Sequence, residues 1–206
     1  MPAGAWAEGE RGIAALPGRA AEFHESVATT VDYARALSCN KVHCLAGIAP
    51  PGVESERVYQ DSLATALRAL TPAGVDVLIE PINLRSIPGY YLHSFDAASS
   101  TISAFQHVDD GGARPRLLFD LFHAQIIHGD VTMLLRKHRA LIGHVQIAGI
   151  PDRAEPDEHN ELNFAHVFRV LADELHWDGH VGCEYIPRGS TDAGLGWLRT
   201  CGLRDT

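Results

Sequence analysis

The chain has 206 residues, 46% of them hydrophobic and 21% charged, a composition that suits a soluble globular protein forming one domain over residues 1–206. Its 26 acidic and 17 basic residues leave a formal net charge of −9, which excludes a nucleic-acid backbone as the expected partner but leaves small anions open to a local arginine. No run approaches the roughly 18 apolar residues of a membrane span and no signal peptide opens the chain, so the cytoplasm is the expected compartment.

Taken in order, the first periodic segment carries Phe23, Val27, Val31 and Ala34 on one stripe and predicts a helix. The run KVHCLAG (Lys41–Gly47) predicts a strand, and a second helix follows on the stripe Tyr59, Leu63, Ala66, Leu67 and Leu70. VDVLIE (Val75–Glu80) is the next strand, with a short helix near Phe95–His107 behind it. RLLFD (Arg116–Asp120), a helix over Asp130–Arg139, and GHVQIA (Gly143–Ala148) continue the alternation. The stripe Phe164, Val167, Phe168, Leu171 and Leu175 marks another helix, HVGCEYI (His180–Ile186) the fifth strand, and Thr191–Cys201 a last helix. The strands are near-continuous apolar runs, as parallel strands covered on both faces require. Alternating units of this kind give a parallel α/β fold, either a barrel or an open sheet. GxGxxG and GxxxxGK[ST] are both absent, which weighs against a dinucleotide or P-loop fold. Cys39, Cys44, Cys183 and Cys201 form no CxxC pair, and Cys44 and Cys183 read as reduced, buried thiols inside strands.

Polar residues recur at the strand ends. LIEP ends on Glu80, LLFDLFH carries Asp120, HVQIAG carries Gln146 and VGCEYIP carries Glu184. In a (β/α) barrel the carboxyl ends of the strands build the active site. Three carboxylates gathered there repel unless a cation sits among them, and three carboxylates with an amide oxygen make a hard, oxygen-only set suited to Mg²⁺ or Mn²⁺. Asn83, His123, Arg153 and Arg188 follow the same strand ends and are further candidates.

The runs AWAEGERGIAALPGR, IEPIN, FDLFHAQ, GHVQIAG, EPDEHNELNF and GCEYIPRGSTDAGLGWLR, in this order, resemble the hydroxypyruvate isomerases among the xylose-isomerase-like TIM barrels. The resemblance implies that Glu80, Asp120, Gln146 and Glu184 bind a divalent cation and that Glu80 and Glu184 are the catalytic acid/base pair. It also implies that His123 and Arg153 contact a small 2-oxo acid substrate. The amide of Gln146, where the related ketose 3-epimerases carry histidine, favours the hydroxypyruvate isomerase branch. The reaction it implies is conversion of hydroxypyruvate to 2-hydroxy-3-oxopropanoate (tartronate semialdehyde). A 2-oxo-tetronate isomerase is the neighbouring alternative, and an endonuclease IV-like phosphodiesterase the distant one.

Five strands are counted against the eight of a closed barrel, whose chains run to about 250 residues. The expected architecture is therefore an incomplete TIM barrel lacking the first three strands. An inactive truncated barrel is a further alternative on this count. Unpaired sheet edges lead one to expect weak activity from the 206 residues alone, with association into homo-oligomers or aggregates.

Overall fold

The computed structural model describes residues 1, 3–105 and 113–202. Helices α1 (Ala20–Ala36), α2 (Val53–Leu70), α3 (Phe95–Ala104), α4 (Leu121–Ile127), α5 (Val131–His138), α6 (Phe164–Arg169), α7 (Thr191–Gly194) and α8 (Trp197–Thr200) alternate with five strands. These are β1 (Lys41–His43), β2 (Asp76–Ile79), β3 (Arg116–Asp120), β4 (Ile142–Ile147) and β5 (Val181–Cys183). Strand order in the sheet is β1-β2-β3-β4-β5. The architecture is the expected one: parallel strands with flanking helices, five strands among the described residues. The predicted helix near residue 95 ends at Ala104 with Phe105 as its C-cap, and the last two residues of that prediction, Gln106 and His107, lie outside the described residues.

The chain divides into two compact units, Met1–Leu118 and Phe119–Thr206. In the first, the stripe that predicted α2 is its buried face: Tyr59, Leu63, Ala66, Leu67 and Leu70 all lie inside, against Phe23, Val27 and Ala34 of α1. Val31 is only half-buried. Parallel pairing sets Val42 beside Val77 and His43 beside Leu78, and then Leu78 beside Arg116 and Ile79 beside Leu117. Because side chains alternate along a strand, this register puts His43, Leu78 and Glu80 on one face.

A crossing of two backbone segments closes the amino end of this unit. Gly12 bridges Ala46, and Ala15 N donates to Ala46 O at 2.8 Å. Gly12 (φ +92°) and Gly47 (φ +96°) both adopt the left-handed conformation that glycine tolerates. A Cβ on Gly47 would stand 2.3 Å from the Gly12 carbonyl oxygen, and one on Gly12 would stand 2.4 Å from that of Leu45.

In the second unit, β4 pairs with β5 in parallel, Gln146 beside Gly182 and Ile147 beside Cys183. Phe119, Leu121, Leu135, Val145, Ile147, Phe164 and Val167 are buried here. α6 runs on into a π-turn over Val170–Glu174, with Val170 and Leu171 turned inward. Both outer strands are shorter than their apolar runs predicted, and neither is fully covered. Each pairs along one edge, so β1 is half-buried throughout and β5 opens toward its end. One expectation is corrected by this: Cys44 is buried, its thiol pushed up to about 12 by desolvation, but Cys183 at the end of β5 is exposed.

Candidate active site

Glu80 follows β2 directly and is 4% exposed. Burying a carboxylate is costly unless something compensates it. Its Oε2 lies 3.5 Å from His43 Nδ1, the residue that strand register places on the same face. Desolvation depresses His43 to about 3, so the imidazole beside Glu80 is neutral at ordinary pH. Asn83, a candidate from sequence, has a local duty instead: its Oδ1 accepts from Ser86 N at 2.8 Å and closes the turn after β2.

Asp120 ends β3 and caps α4. One carboxylate oxygen, Oδ1, accepts from Phe122 N at 2.8 Å. The other, Oδ2, is buried with no hydrogen-bond partner among the described residues. It faces two cationic or potentially cationic groups at longer range, Arg153 Nη2 at 3.6 Å and His123 Nε2 at 3.7 Å. Burial, with the Glu184 charge adding to it, raises Asp120 to about 7 against the opposing pull of the Phe122 amide and Arg153. His123, one turn into α4 and 1% exposed, packs edge-on to Phe122.

Arg153 sits on the segment after β4 with φ +57°, a conformation uncommon for a residue with a side chain. Its guanidinium lies 4.9 Å over the Phe122 ring, 3.6 Å from Asp120 Oδ2 and 3.1 Å from Glu184 Oε1. Arg153, on the segment after β4, thus stands between two carboxylates from the ends of β3 and β5. Glu184 follows β5, its amide donating to Ile147 O at 3.0 Å, and its side chain is half exposed. Gln146 lies inside β4 with a buried Oε1 that accepts no hydrogen bond among the described residues. Gly182 makes room for it, since a Cβ there would press on Gln146 Cγ at 3.2 Å.

Of the residues expected from sequence, the second unit brings Asp120, His123, Arg153 and Glu184 into one cluster. Arg188, a weaker candidate, pairs instead with Glu155 and Asp157. Two residues escaped the sequence reading, His43 and Phe122. His43 had a usable signal, because KVHCLAG also carries a polar residue near a strand end. Phe122 had none, since an aromatic beneath an arginine looks like any core residue.

Unmet needs among the donors bear on whether a cation fits them. Asp120 Oδ2 and Gln146 Oε1 are buried oxygens without a donor, and oxygen ligands of this type suit a hard divalent ion. Buried Glu80, Asp120 and His123 each offer one atom of a kind that metals take. The residues fit a bound metal.

The xylose isomerase-like TIM barrel model matches residues 3–201. The chain belongs to this family. Among its family relatives, 2-oxo-tetronate isomerase of Cupriavidus necator is 45% identical over 199 residues, which is 95% of this chain and 74% of that protein. Hydroxypyruvate isomerase of Escherichia coli is 40% identical over 202 residues, 96% of this chain and 75% of that one. A crystal structure described as AP endonuclease, family 2, from Brucella melitensis superposes with a TM-score of 0.89 at 40% identity, covering 97% of this chain and 76% of that chain. L-ribulose 3-epimerase, at 20% identity and a TM-score of 0.69, shares the fold. With isomerases of this family so similar over nearly its whole length, the chain is an enzyme of the isomerase class. No helix among the described residues is long and apolar enough to cross a membrane.

Proposed function

We propose that the chain converts hydroxypyruvate to 2-hydroxy-3-oxopropanoate by proton transfer through an enediolate, using Glu80, Asp120, Gln146 and Glu184 as ligands of one Mg²⁺ or Mn²⁺. The observation that carries this reading is Arg153, after β4, held between Asp120 at the end of β3 and Glu184 after β5. A guanidinium there has donors to spare for a substrate carboxylate, which it grips with two parallel N–H bonds. His123 takes a second substrate oxygen. Glu80 and Glu184 form the acid/base pair, one removing the proton from the hydroxymethyl carbon and the other returning it to the neighbouring carbon. The bound cation supplies positive charge against the negative charge that develops on the substrate oxygens. His43, neutral at ordinary pH, lies 3.5 Å from Glu80 Oε2 and adds no positive charge there.

The similarity to 2-oxo-tetronate isomerase, at 45% identity, favours a second reading in which the substrate is that longer 2-oxo acid. Nuclease chemistry fits poorly with a chain of net charge −9 and an amide at Gln146. The reading places the protein in the cytoplasm with a free small molecule as its partner. The test is turnover of hydroxypyruvate and of 2-oxo-tetronate, each measured after chelation and after addition of Mg²⁺ or Mn²⁺. Turnover unaffected by thorough chelation would remove the cation from the proposal, and turnover of neither compound would remove the reaction.

Cation affinity is expected to depend on pH with a defined sign. Asp120 carries a proton below about 7 in the metal-free fold, and a ligand must shed it first. Affinity for Mn²⁺ should therefore tighten as pH rises toward 7 and level off above it, a profile that calorimetric titration at a series of pH values would give. The metal-free protein follows the linked rule. A carboxyl raised above its unfolded value stabilises the fold while protonated, so this contribution is lost as pH climbs through about 7. Melting temperature should fall over that interval without cation and recover when cation is added.

A further inference from the structure

Glu155 is a carboxylate that the chemistry above does not use, yet it is only 4% exposed. It lies two residues beyond Arg153, on the segment after β4. Its Oε1 accepts from the backbone amide of Arg188 at 2.9 Å, and its Oε2 lies 3.4 Å from Arg188 Nη1. Arg188 belongs to the segment after β5, four residues past Glu184, and its guanidinium also pairs with Asp157. One backbone contact and one side-chain contact run parallel to this bridge. Ile186 N donates to Arg153 O at 2.8 Å, and Arg153 Nε points at Glu184 O at 3.4 Å.

The surroundings are shaped to admit the buried charge. A Cβ on Gly194 would come within 2.7 Å of Glu155 Oε1, so glycine on α7 leaves the space that the carboxylate fills. Asn160 Nδ2 donates to Glu155 O at 3.0 Å and to Asp157 O at 3.0 Å, fixing the backbone on either side. Gly149 N donates to Ala154 O at 2.8 Å, and a Cβ on Gly149 would strike Glu155 O at 2.6 Å. The segment is folded back on the end of β4 and fastened from both sides. A charge this deep is retained at a cost, which the hydrogen bond from the Arg188 amide and the ion pair with its guanidinium offset.

We propose that Glu155 is a positioning residue: its buried carboxylate ties the segment after β4 to the segment after β5 and so holds Arg153 in its left-handed conformation between Asp120 and Glu184. The role of Arg153 toward substrate rests on the proposed function, whereas the tie itself does not. Without the tie, the Arg153–Ile186 contact loosens and the guanidinium loses its fixed place.

The test combines amide hydrogen exchange with kinetics. In Glu155→Ala, the Arg188 and Ile186 amides should exchange at least about tenfold faster while amides of β4 keep their protection. In Glu155→Gln, which still accepts from the Arg188 amide, they should stay near the wild-type rate. Activity on whichever 2-oxo acid is turned over should fall about tenfold or more in kcat/KM for Glu155→Ala, and the loss should vanish in an Arg153→Ala background, because both changes act through one group. Unchanged exchange at Ile186, or losses that add in full on Arg153→Ala, would overturn the proposal. If the wild type turns over neither compound, the reaction reading fails, and Ile186 exchange still decides whether Glu155 holds Arg153. If Glu155→Ala does not fold, Glu155→Met, which fills the space but accepts nothing from the Arg188 amide, carries the exchange test and is expected to free Ile186 while Glu155→Gln does not.

Discussion

Replacing Glu184 or Glu80 by glutamine is expected to lower kcat by about 10³-fold or more, the scale on which a positioned acid or base contributes. Glutamine keeps the size and one oxygen of the side chain but cannot take up a proton at neutral pH. The two variants should differ in their side effects. Glu80 is buried beside His43, and its amide replacement keeps the packed volume, so the fold should stay intact, as melting temperature would show. Glu184 is half exposed and faces Arg153, so its replacement also frees that guanidinium from one partner and should raise KM for an anionic substrate less than it lowers kcat. Single-turnover kinetics on a substrate deuterated at the hydroxymethyl carbon isolate the proton-transfer step. A variant that retains ordinary turnover and an unaltered isotope effect would strike its glutamate from the mechanism.

The largest stability effect is expected at the crossing of Gly12 and Gly47. Gly47→Ala should destabilise the protein by about 4 kcal/mol or more, in the range reserved for overpacking combined with backbone strain. Strain and crowding act together here. Alanine at φ +96° carries a penalty of about 1 kcal/mol by itself. Crowding contributes more, because the Cβ would stand 2.3 Å from a backbone oxygen and 2.5 Å from Leu16 Cδ1. The leucine side chain can turn away, but the Gly12 carbonyl is fixed by the bridge to Ala46. Gly9→Ala is the matched control: it shares a φ of +94° but has nothing within 4 Å of its Cβ. Urea midpoints of the two variants should separate widely. Equal small shifts would mean that the crossing yields and that the close approach is not a constraint.

Much of this architecture was readable in the chain because helix and strand periods are local. The stripe from Tyr59 to Leu70 predicted both the helix and the face it buries, and four strands lie within their apolar runs while β4 starts one residue earlier, at Ile142. What local pattern misses is where a strand stops pairing. KVHCLAG and HVGCEYI read as long strands, but only three residues of each are in the ladder, and Cys183 is exposed in consequence. In the site, polar residues after apolar runs pointed to Asp120, Arg153 and Glu184, since an unexplained charge beside a core needs a reason. His43 and Glu155 were overlooked because their significance lies in partners distant in sequence. Glu155 stands in EPDEHNE, a stretch that looks like a solvated acidic loop, yet it is more buried than most residues around it.

The divided use of Asp120 limits how this position can vary. One of its oxygens closes the first turn of α4 while the other has no hydrogen-bond partner among the described residues, so under the proposed function a single side chain serves two demands at once. Serine would preserve the first and forfeit the second; glutamate would offer a carboxylate on a longer stem that no longer meets the Phe122 amide. Truncation to alanine would remove a helix cap as well as the proposed ligand, and a lost activity would then conflate an unravelled α4 with a missing oxygen. Asparagine separates the two demands, since it keeps the acceptor for Phe122 and gives up only the charge. The position is therefore open to exchange at little structural cost in one direction only, which makes aspartate there a residue that drift can disable easily and replace hardly at all.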